Sequence, residues 1–221
     1  MHSRTWKLST LISLLVVSST SVARGRQTAW IPPSAKITVL VYNYAQVRAS
    51  TLGHAKQTAW EIFRQAGVEV LWRDCPAVFG MDLREGGAQP PVGKEDLILK
   101  IVPRFEPGPT RTRKERLGLS FANTAMISFQ ALQDETASGD AMPEEILGAA
   151  IAHELGHVLL GSDSHSAKGI MRPHWKGEDF ARGPQGGLAF TPEQAQVIRT
   201  EASRRVQEQT AEDRLSTIAS R

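Results

Sequence analysis

The sequence His153-Glu154-Leu155-Gly156-His157 lies inside a longer stretch, Pro143 to Trp175, around which the rest of the chain can be ordered. Two histidines four positions apart project from one face of an α-helix, one turn apart, so both imidazoles can reach a single metal ion. Glu154 lies about 100° around the helix, where its carboxylate can reach a water on that metal without binding the metal. Two histidine ligands with an adjacent carboxylate base are typical of zinc hydrolases.

The residues that flank this motif predict a buried helix. Asp140 is a candidate N-cap, Pro143 suits the first turn, and Glu144 and Glu145 favour the positive end of the helix dipole. Gly161 is a candidate C-cap in the left-handed conformation. One apolar face is formed at helical spacing by Leu147, Ile151, Leu155 and Val158. The histidines point away from that face, so we expect them to face a cleft.

The N-terminal residues resemble an export signal. Arg4 and Lys7 precede an apolar core from Leu8 to Val17, which is too short to span a bilayer. Ser21-Val22-Ala23 fits the small-x-small pattern for cleavage after Ala23. The competing interpretation is a cytosolic protein with an apolar N-terminal helix. We favour a signal peptide over residues 1–23, and hence a secreted or periplasmic protein with no membrane anchor after cleavage.

Composition places the chain among ordinary globular proteins and argues against nucleic acid as a partner. The 221 residues are 41% hydrophobic and 22% charged, which suits one substantial domain. Cleavage after Ala23 would remove two basic residues and no acidic one, so the net charge would fall from +3 to +1. Cys75 is the one cysteine, so the fold depends on no internal disulfide. We expect a monomer.

The segments before the motif predict strands, helices and a hairpin. Ile37 to Tyr42 reads as a strand, Ser50 or Thr51 caps a helix that runs to Gln65, and Val68 to Trp72 reads as a second strand. This is a strand–helix–strand unit of the length of a parallel crossover. Further along, a third strand, a hairpin and a final helix are predicted at Asp96–Val102, Leu117–Phe129 and Thr191 to about Val206.

This order of elements is similar to that of the metzincin metalloproteases, whose motif is His-Glu-x-x-His-x-x-Gly-x-x-His followed by a Met-turn. The local likeness is to the matrixin catalytic domain, through His165-Ser166 and Met171-Arg172-Pro173. The resemblance implies an α+β, zincin-like fold. It would contain a mixed, mostly parallel twisted sheet of about five strands with one antiparallel edge strand, backed by helices that include an active-site helix and a C-terminal helix. We expect a lead-in at 24–35, a metzincin-like catalytic domain at 36–206 and a polar C-terminal tail at 207–221.

The third metal ligand is where the sequence departs from the metzincin pattern. The family's third ligand lies ten positions after the first histidine, and Asp163 stands there. His165 lies twelve positions after His153 and carries the His-Ser match. We favour His165, because imidazole suits zinc and a loop can absorb two residues. Asp163 remains the alternative.

The resemblance implies an exported zinc-dependent endopeptidase, in which Glu154 activates a water on a Zn²⁺ ion held by His153, His157 and His165. Met171 would form an apolar floor beneath the histidines. A peptide or protein substrate would pair with the edge strand, at Leu119, Ser120, Phe121 and Ala122. Family members often carry a tyrosine after this methionine, but Arg172 stands here. The alternative function is an exported, non-catalytic zinc-binding module; another class of His-Glu-x-x-His hydrolase is less favoured because of the export signal.

Overall fold

The computed structural model describes residues 34–77, 92–93, 95–105, 116–137, 141–181 and 187–219. The predicted signal peptide, most of the lead-in and the candidate cap Asp140 lie outside these residues. Every element below lies within one compact unit, residues 31–221. None of the described helices has both the length and the apolar character needed to cross a membrane.

Five strands of the described chain form one sheet, in the order β2-β1-β3-β5-β4. The strands are β1 (Ala35–Asn43), β2 (Val68–Cys75), β3 (Leu97–Val102), β4 (Gly118–Phe121) and β5 (Thr124–Ser128). The pairs β1–β2, β1–β3 and β3–β5 are parallel, and β4 pairs antiparallel with β5 at one edge. This confirms the predicted α+β architecture with a mostly parallel sheet and one antiparallel edge strand.

Helices pack against the alternating buried positions of the sheet. They are α1 (Ala49–Gln65), α2 (Phe129–Thr136), α3 (Pro143–Leu160), α4 (Gly177–Ala181) and α5 (Pro192–Ala219). The strand register aligns Val41, Leu99 and Ala125 across β1, β3 and β5, and all three are fully buried. Ser120 of β4 continues the row and lies beside Ala125. The side chains of this row face the helices. At the β4 edge of the sheet, Ser120 therefore faces α3.

Helix α3 begins and ends near the predicted positions, but its cap differs. Met142 rather than Asp140 is the N-cap residue, with Pro143 in the first turn. Glu145 Oε2 accepts a hydrogen bond from the Met142 amide, so the carboxylate satisfies one of the amides that a helix start leaves unpaired. Gly161 ends the helix as predicted, but with φ of 99° and ψ of 166° its backbone is extended and not left-handed helical, and this conformation favours glycine. Thirteen of its eighteen residues are buried, as its apolar composition predicts.

Further helical features differ from the expectations. The N-cap residue of α1 is Arg48, without a side-chain capping hydrogen bond, and not Ser50 or Thr51. Helix α2 lies between the hairpin and α3, where no helix is predicted from the sequence, and its first turn is capped by Ser128 Oγ, which accepts from the Ala131 amide at 3.2 Å. The polar tail expected from residue 207 continues α5 as helix through Ala219. Ion pairs at helical spacing support this extension, with Arg204 between Glu201 and Glu208. The predicted cap of α5 is confirmed, because Thr191 Oγ1 accepts from the Gln194 amide.

Candidate metal centre

His153 is held in one tautomer by the turn that contains Met171. Its Nδ1 lies 2.8 Å from the carbonyl oxygen of Ile170. A carbonyl oxygen can only accept, so Nδ1 carries the proton and the Nε2 lone pair is free to bind a metal. Burial lowers the pKa of His153 to about 4, against the opposing effect of the Ile170 hydrogen bond. The imidazole is therefore neutral at physiological pH, which is the form that binds metals.

His157 is oriented by the chain that follows α3. Its Nδ1 lies 2.9 Å from Ser164 Oγ and 3.4 Å from the Gly161 carbonyl oxygen. The Ser164 hydroxyl donates to that carbonyl at 2.7 Å, so its oxygen accepts from His157 Nδ1. Burial lowers the pKa of His157 as well. Its Nε2 lone pair is thus also available to a metal.

The structure brings His165 to these two histidines. The Nε2 atoms of His153 and His157 are 3.0 Å apart, and His165 Nε2 lies 3.3 and 3.1 Å from them. Nitrogens bound to one tetrahedral zinc at ordinary bond lengths lie about 3.3 Å from one another. Two of the facing lone pairs are fixed by the Nδ1 hydrogen bonds, so a cation between them relieves their mutual repulsion. The group fits Zn²⁺ with one position left open.

Asp163 does not join this group. It is exposed, whereas among the described residues the three histidines form the group of ligand atoms close enough to hold one ion. His165 is the exposed member, so one side of the group is open to solvent. The chain from Gly161 to His165 thus places the histidine twelve positions after His153, not the aspartate ten positions after it, beside the helix.

Glu154 lies beside the histidine group and under the edge strand. Its side chain is buried, and burial raises its pKa to about 7, against a hydrogen bond with the Ser120 side chain that lowers it. A β-carbon added at Gly118 would lie 2.3 Å from Glu154 Oε1, so β4 approaches the carboxylate closely where it lacks a side chain. A carboxyl group with a pKa near the working pH can both take and return a proton.

The Met-turn forms the far side of the group. Met171 is fully buried, and a β-carbon added at Gly156, between the two helical histidines, would lie 2.7 Å from its Sδ. Trp175 packs its ring edge-to-face on His153, with ring centroids 5.4 Å apart. Trp175 Nε1 also donates to the Ile170 carbonyl oxygen at 3.0 Å, the same atom that accepts from His153. Arg172, which stands where the family often has tyrosine, forms an ion pair with Asp179.

The residues predicted to bind substrate lie on opposite faces of β4, or outside it. Leu119 and Phe121 are 40% and 54% exposed, whereas Ser120 points to Glu154. Ala122 lies outside β4, in the turn to β5, with φ of 49°. Sequence reasoning did not identify Gly118 or Ser164 as site residues. Gly118 could have been identified from its position two residues before Ser120, which places it on the same face of the strand. No local pattern marks Ser164, because its contact with His157 depends on the path of the loop.

Comparison with known proteins finds distant structural likenesses. No protein-family model matches this sequence, and no curated protein matches it. Among solved structures, the chain is similar to an archaemetzincin from Methanopyrus kandleri, with 13% identity, a TM-score of 0.48, and coverage of 77% of this chain and 98% of that chain. It is likewise similar to a zinc-dependent peptidase from Methanocorpusculum labreanum, with 15% identity, a TM-score of 0.48, and coverage of 72% and 99%.

The local resemblance to matrixins, drawn from His165-Ser166 and the Met171 turn, stays a prediction.

Proposed function

We propose that this chain is a zinc-dependent endopeptidase in which His153, His157 and His165 hold the metal and Glu154 is the catalytic base. One observation carries the proposal: three imidazole Nε2 atoms converge within 3.0–3.3 Å beside a buried glutamate whose pKa is raised to about 7. A purely structural zinc site is closed by four protein ligands and has no use for such a carboxylate.

When bound, zinc would supply Lewis-acid polarisation of the substrate carbonyl and acidify the attacking water. The chain's own contribution is to hold and move a proton at the Glu154 carboxylate. Glu154 takes the proton from the water and returns it to the nitrogen of the scissile amide as that bond breaks. The Ser120 hydroxyl orients the carboxylate through its hydrogen bond, and the surrounding burial favours the protonated form between the two transfers.

The substrate would bind along β4. This strand is at the edge of the sheet and pairs with β5 on one side only, so its other side can add a peptide strand. Leu119 and Phe121 would contact apolar side chains of that peptide, because both are exposed on the face turned away from Glu154. The bond to be cut would then lie across the open side of the histidine group.

Export is a separate proposal that rests on residues 1–23 alone. The basic start, the short apolar core and Ser21-Val22-Ala23 support cleavage after Ala23. Expression of the full chain in a secreting host, with N-terminal sequencing of the extracellular product, tests it. A product that starts at Arg24 supports export, and an uncleaved intracellular protein contradicts it.

The proposed activity is tested by zinc content together with hydrolysis of casein and of a broad peptide library. Wild type is compared with Glu154→Gln and with Glu144→Gln, which makes the same chemical change in the first turn of the same helix. We expect one zinc per chain in all three proteins. Activity should fall by about 10²- to 10⁴-fold in Glu154→Gln alone.

Two outcomes would overturn the proposal. A wild-type protein that holds zinc but cleaves nothing in the library is better described as an exported zinc-binding module. A wild-type protein that holds no zinc contradicts the assignment of the histidine group itself.

A further inference from the structure

The chain between His157 and His165 is longer by two residues than the metzincin motif allows, and one side chain in it contacts a histidine. Ser164 Oγ lies 2.9 Å from His157 Nδ1 and 2.7 Å from the Gly161 carbonyl oxygen. The hydroxyl proton goes to the carbonyl, because a carbonyl cannot donate. The hydroxyl oxygen is then left to accept from His157 Nδ1, which places the free lone pair of His157 on Nε2, the atom that faces the other histidines.

The backbone of Ser164 is fixed from the opposite side of the loop. Gln194 Nε2 donates to the Ser164 carbonyl oxygen at 3.2 Å, and Gln194 Oε1 accepts from the Thr191 amide at 3.0 Å. Gln194 therefore ties the residue before His165 to the first turn of α5. Because α5 is anchored in the core through Ala195, Ile198 and Ala202, this contact connects the loop to a rigid element.

We propose that Ser164 is a positioning residue for two of the three histidines. Its hydroxyl sets the tautomer and ring orientation of His157, and its carbonyl, held by Gln194, fixes the chain at the point from which His165 enters the site. As far as it concerns zinc, the inference rests on the function proposed above. Outer contacts of this kind typically change metal affinity by about 10- to 100-fold.

The first measurement concerns the histidine alone and needs no metal. In the metal-free full-length protein, ¹⁵N chemical shifts of the His157 ring report which nitrogen carries the proton. Wild type is compared with Ser164→Ala, with Ser164→Thr, which keeps the hydroxyl, and with Ser166→Ala. Ser166 is a matched control because its hydroxyl lies in the same loop but donates to the Lys168 carbonyl instead of contacting a histidine.

We expect the Nδ1-protonated form of His157 to predominate in wild type, Ser164→Thr and Ser166→Ala. In Ser164→Ala the Nε2-protonated form should gain, because the remaining acceptor, the Gly161 carbonyl, lies 3.4 Å away. An unchanged tautomer population in a folded Ser164→Ala protein overturns the role of the hydroxyl, whether or not the protein is a peptidase.

The second measurement is zinc affinity, by competition with a chromophoric chelator. Ser164→Ala should bind zinc about 10- to 100-fold more weakly than wild type, with affinity restored in Ser164→Thr and unchanged in Ser166→Ala. Gln194→Ala should also weaken zinc binding while leaving the His157 tautomer unaltered, because it removes the hydrogen bonds to the Ser164 carbonyl and from the Thr191 amide but not the contact between the Ser164 hydroxyl and His157. Wild-type zinc affinity in Ser164→Ala overturns the inference. Wild-type zinc affinity in Gln194→Ala overturns the claim that the Ser164 carbonyl, held by Gln194, positions His165. A wild type that binds zinc without cleaving peptides fails the proposed function but leaves this comparison intact.

Discussion

Gly118 of the edge strand β4 and Glu154 of α3 lie in close contact. A β-carbon at Gly118 would lie 2.3 Å from Glu154 Oε1 and 2.5 Å from its Cδ, closer than such atoms can approach. The absence of a side chain at Gly118 therefore allows the proposed base to stand where it does. The added carbon would also lie 2.5 Å from Glu154 Cγ, and all three of these atoms belong to a side chain rather than to the backbone. An added methyl group would therefore move the Glu154 side chain more readily than it would disrupt the fold.

The substitution Gly118→Ala should consequently lower kcat while leaving zinc content and the folded structure as in wild type. A displacement of the carboxylate by about 1 Å is enough to cost up to ~100-fold in rate. Steady-state kinetics on a peptide substrate, with zinc analysis of the same preparation, measure both quantities.

A double variant separates this effect from general damage to the strand. If Gly118 acts through Glu154, adding Gly118→Ala to Glu154→Gln should cost no further activity, since the two changes affect one group. Full additivity of the two losses would show that Gly118 matters for some other reason.

Much of this arrangement could be predicted from local patterns. The strands, α1, α3 and the cap of α5 follow from residues that are neighbours in sequence, such as Pro143 at the start of α3 and Thr191-Pro192 at the start of α5. Helix α2 is absent from the sequence prediction because it begins at Phe129, directly after β5, with Ser128 serving both as the last strand residue and as the helix cap. The sequence feature that indicates α2 is Ser128, whose hydroxyl caps the amide of Ala131, three positions later.

The choice between His165 and Asp163 could not be settled by any local pattern. It depends on the path of the chain after Gly161, which is set by Ser164 and by Gln194, thirty positions further along. The contact of Gly118 with Glu154 likewise joins residues that are distant in sequence. Relations of this kind come from tertiary packing, which no periodicity or spacing in a single sequence encodes.

The two candidates for the third ligand, His165 and Asp163, should differ in their effect on zinc binding. His165→Ala removes one of three converging nitrogens. Zinc affinity should therefore fall further than in Ser164→Ala, for which a loss of about 10- to 100-fold is expected. Asp163→Ala alters an exposed side chain outside the group and should bind zinc as wild type does. Chelator competition on both variants measures this, and the reverse order of affinities would assign the site to Asp163.

The raised pKa of Glu154 predicts that this residue lowers the free energy of unfolding of the metal-free protein in a pH-dependent way. Burial raises this pKa from 4.5 to about 7, so between those values the folded state binds more protons than the unfolded state and Glu154 lowers stability as pH rises. His153 has the opposite effect, because its pKa is lowered from 6.5 to about 4. Comparison with Glu154→Gln cancels the histidine contribution.

Relative to wild type, the metal-free Glu154→Gln protein should therefore gain on the order of 2 kcal/mol in free energy of unfolding between pH 5 and pH 8. Urea unfolding of both proteins at the two pH values, in the presence of a chelator, gives the difference. A stability difference that does not change with pH would mean that Glu154 titrates near its ordinary value in the folded chain.

Helix α3 packs closely on α1 at Gly148. Gly148 of α3 faces α1, and a β-carbon there would lie 2.5 Å from Thr58 Cβ and 2.7 Å from the Ala55 carbonyl oxygen. Backbone atoms cannot move without a large cost in free energy, so Gly148→Ala should destabilise the protein by about 1–3 kcal/mol, despite alanine's better helix propensity.

Gly53→Ala, on α1, is the matched control, because nothing lies within 4 Å of its added carbon. That variant should gain up to ~1 kcal/mol. Chemical unfolding of the two variants beside wild type should thus give shifts of opposite sign. Equal shifts would mean that α1 and α3 are not packed at Gly148 as described.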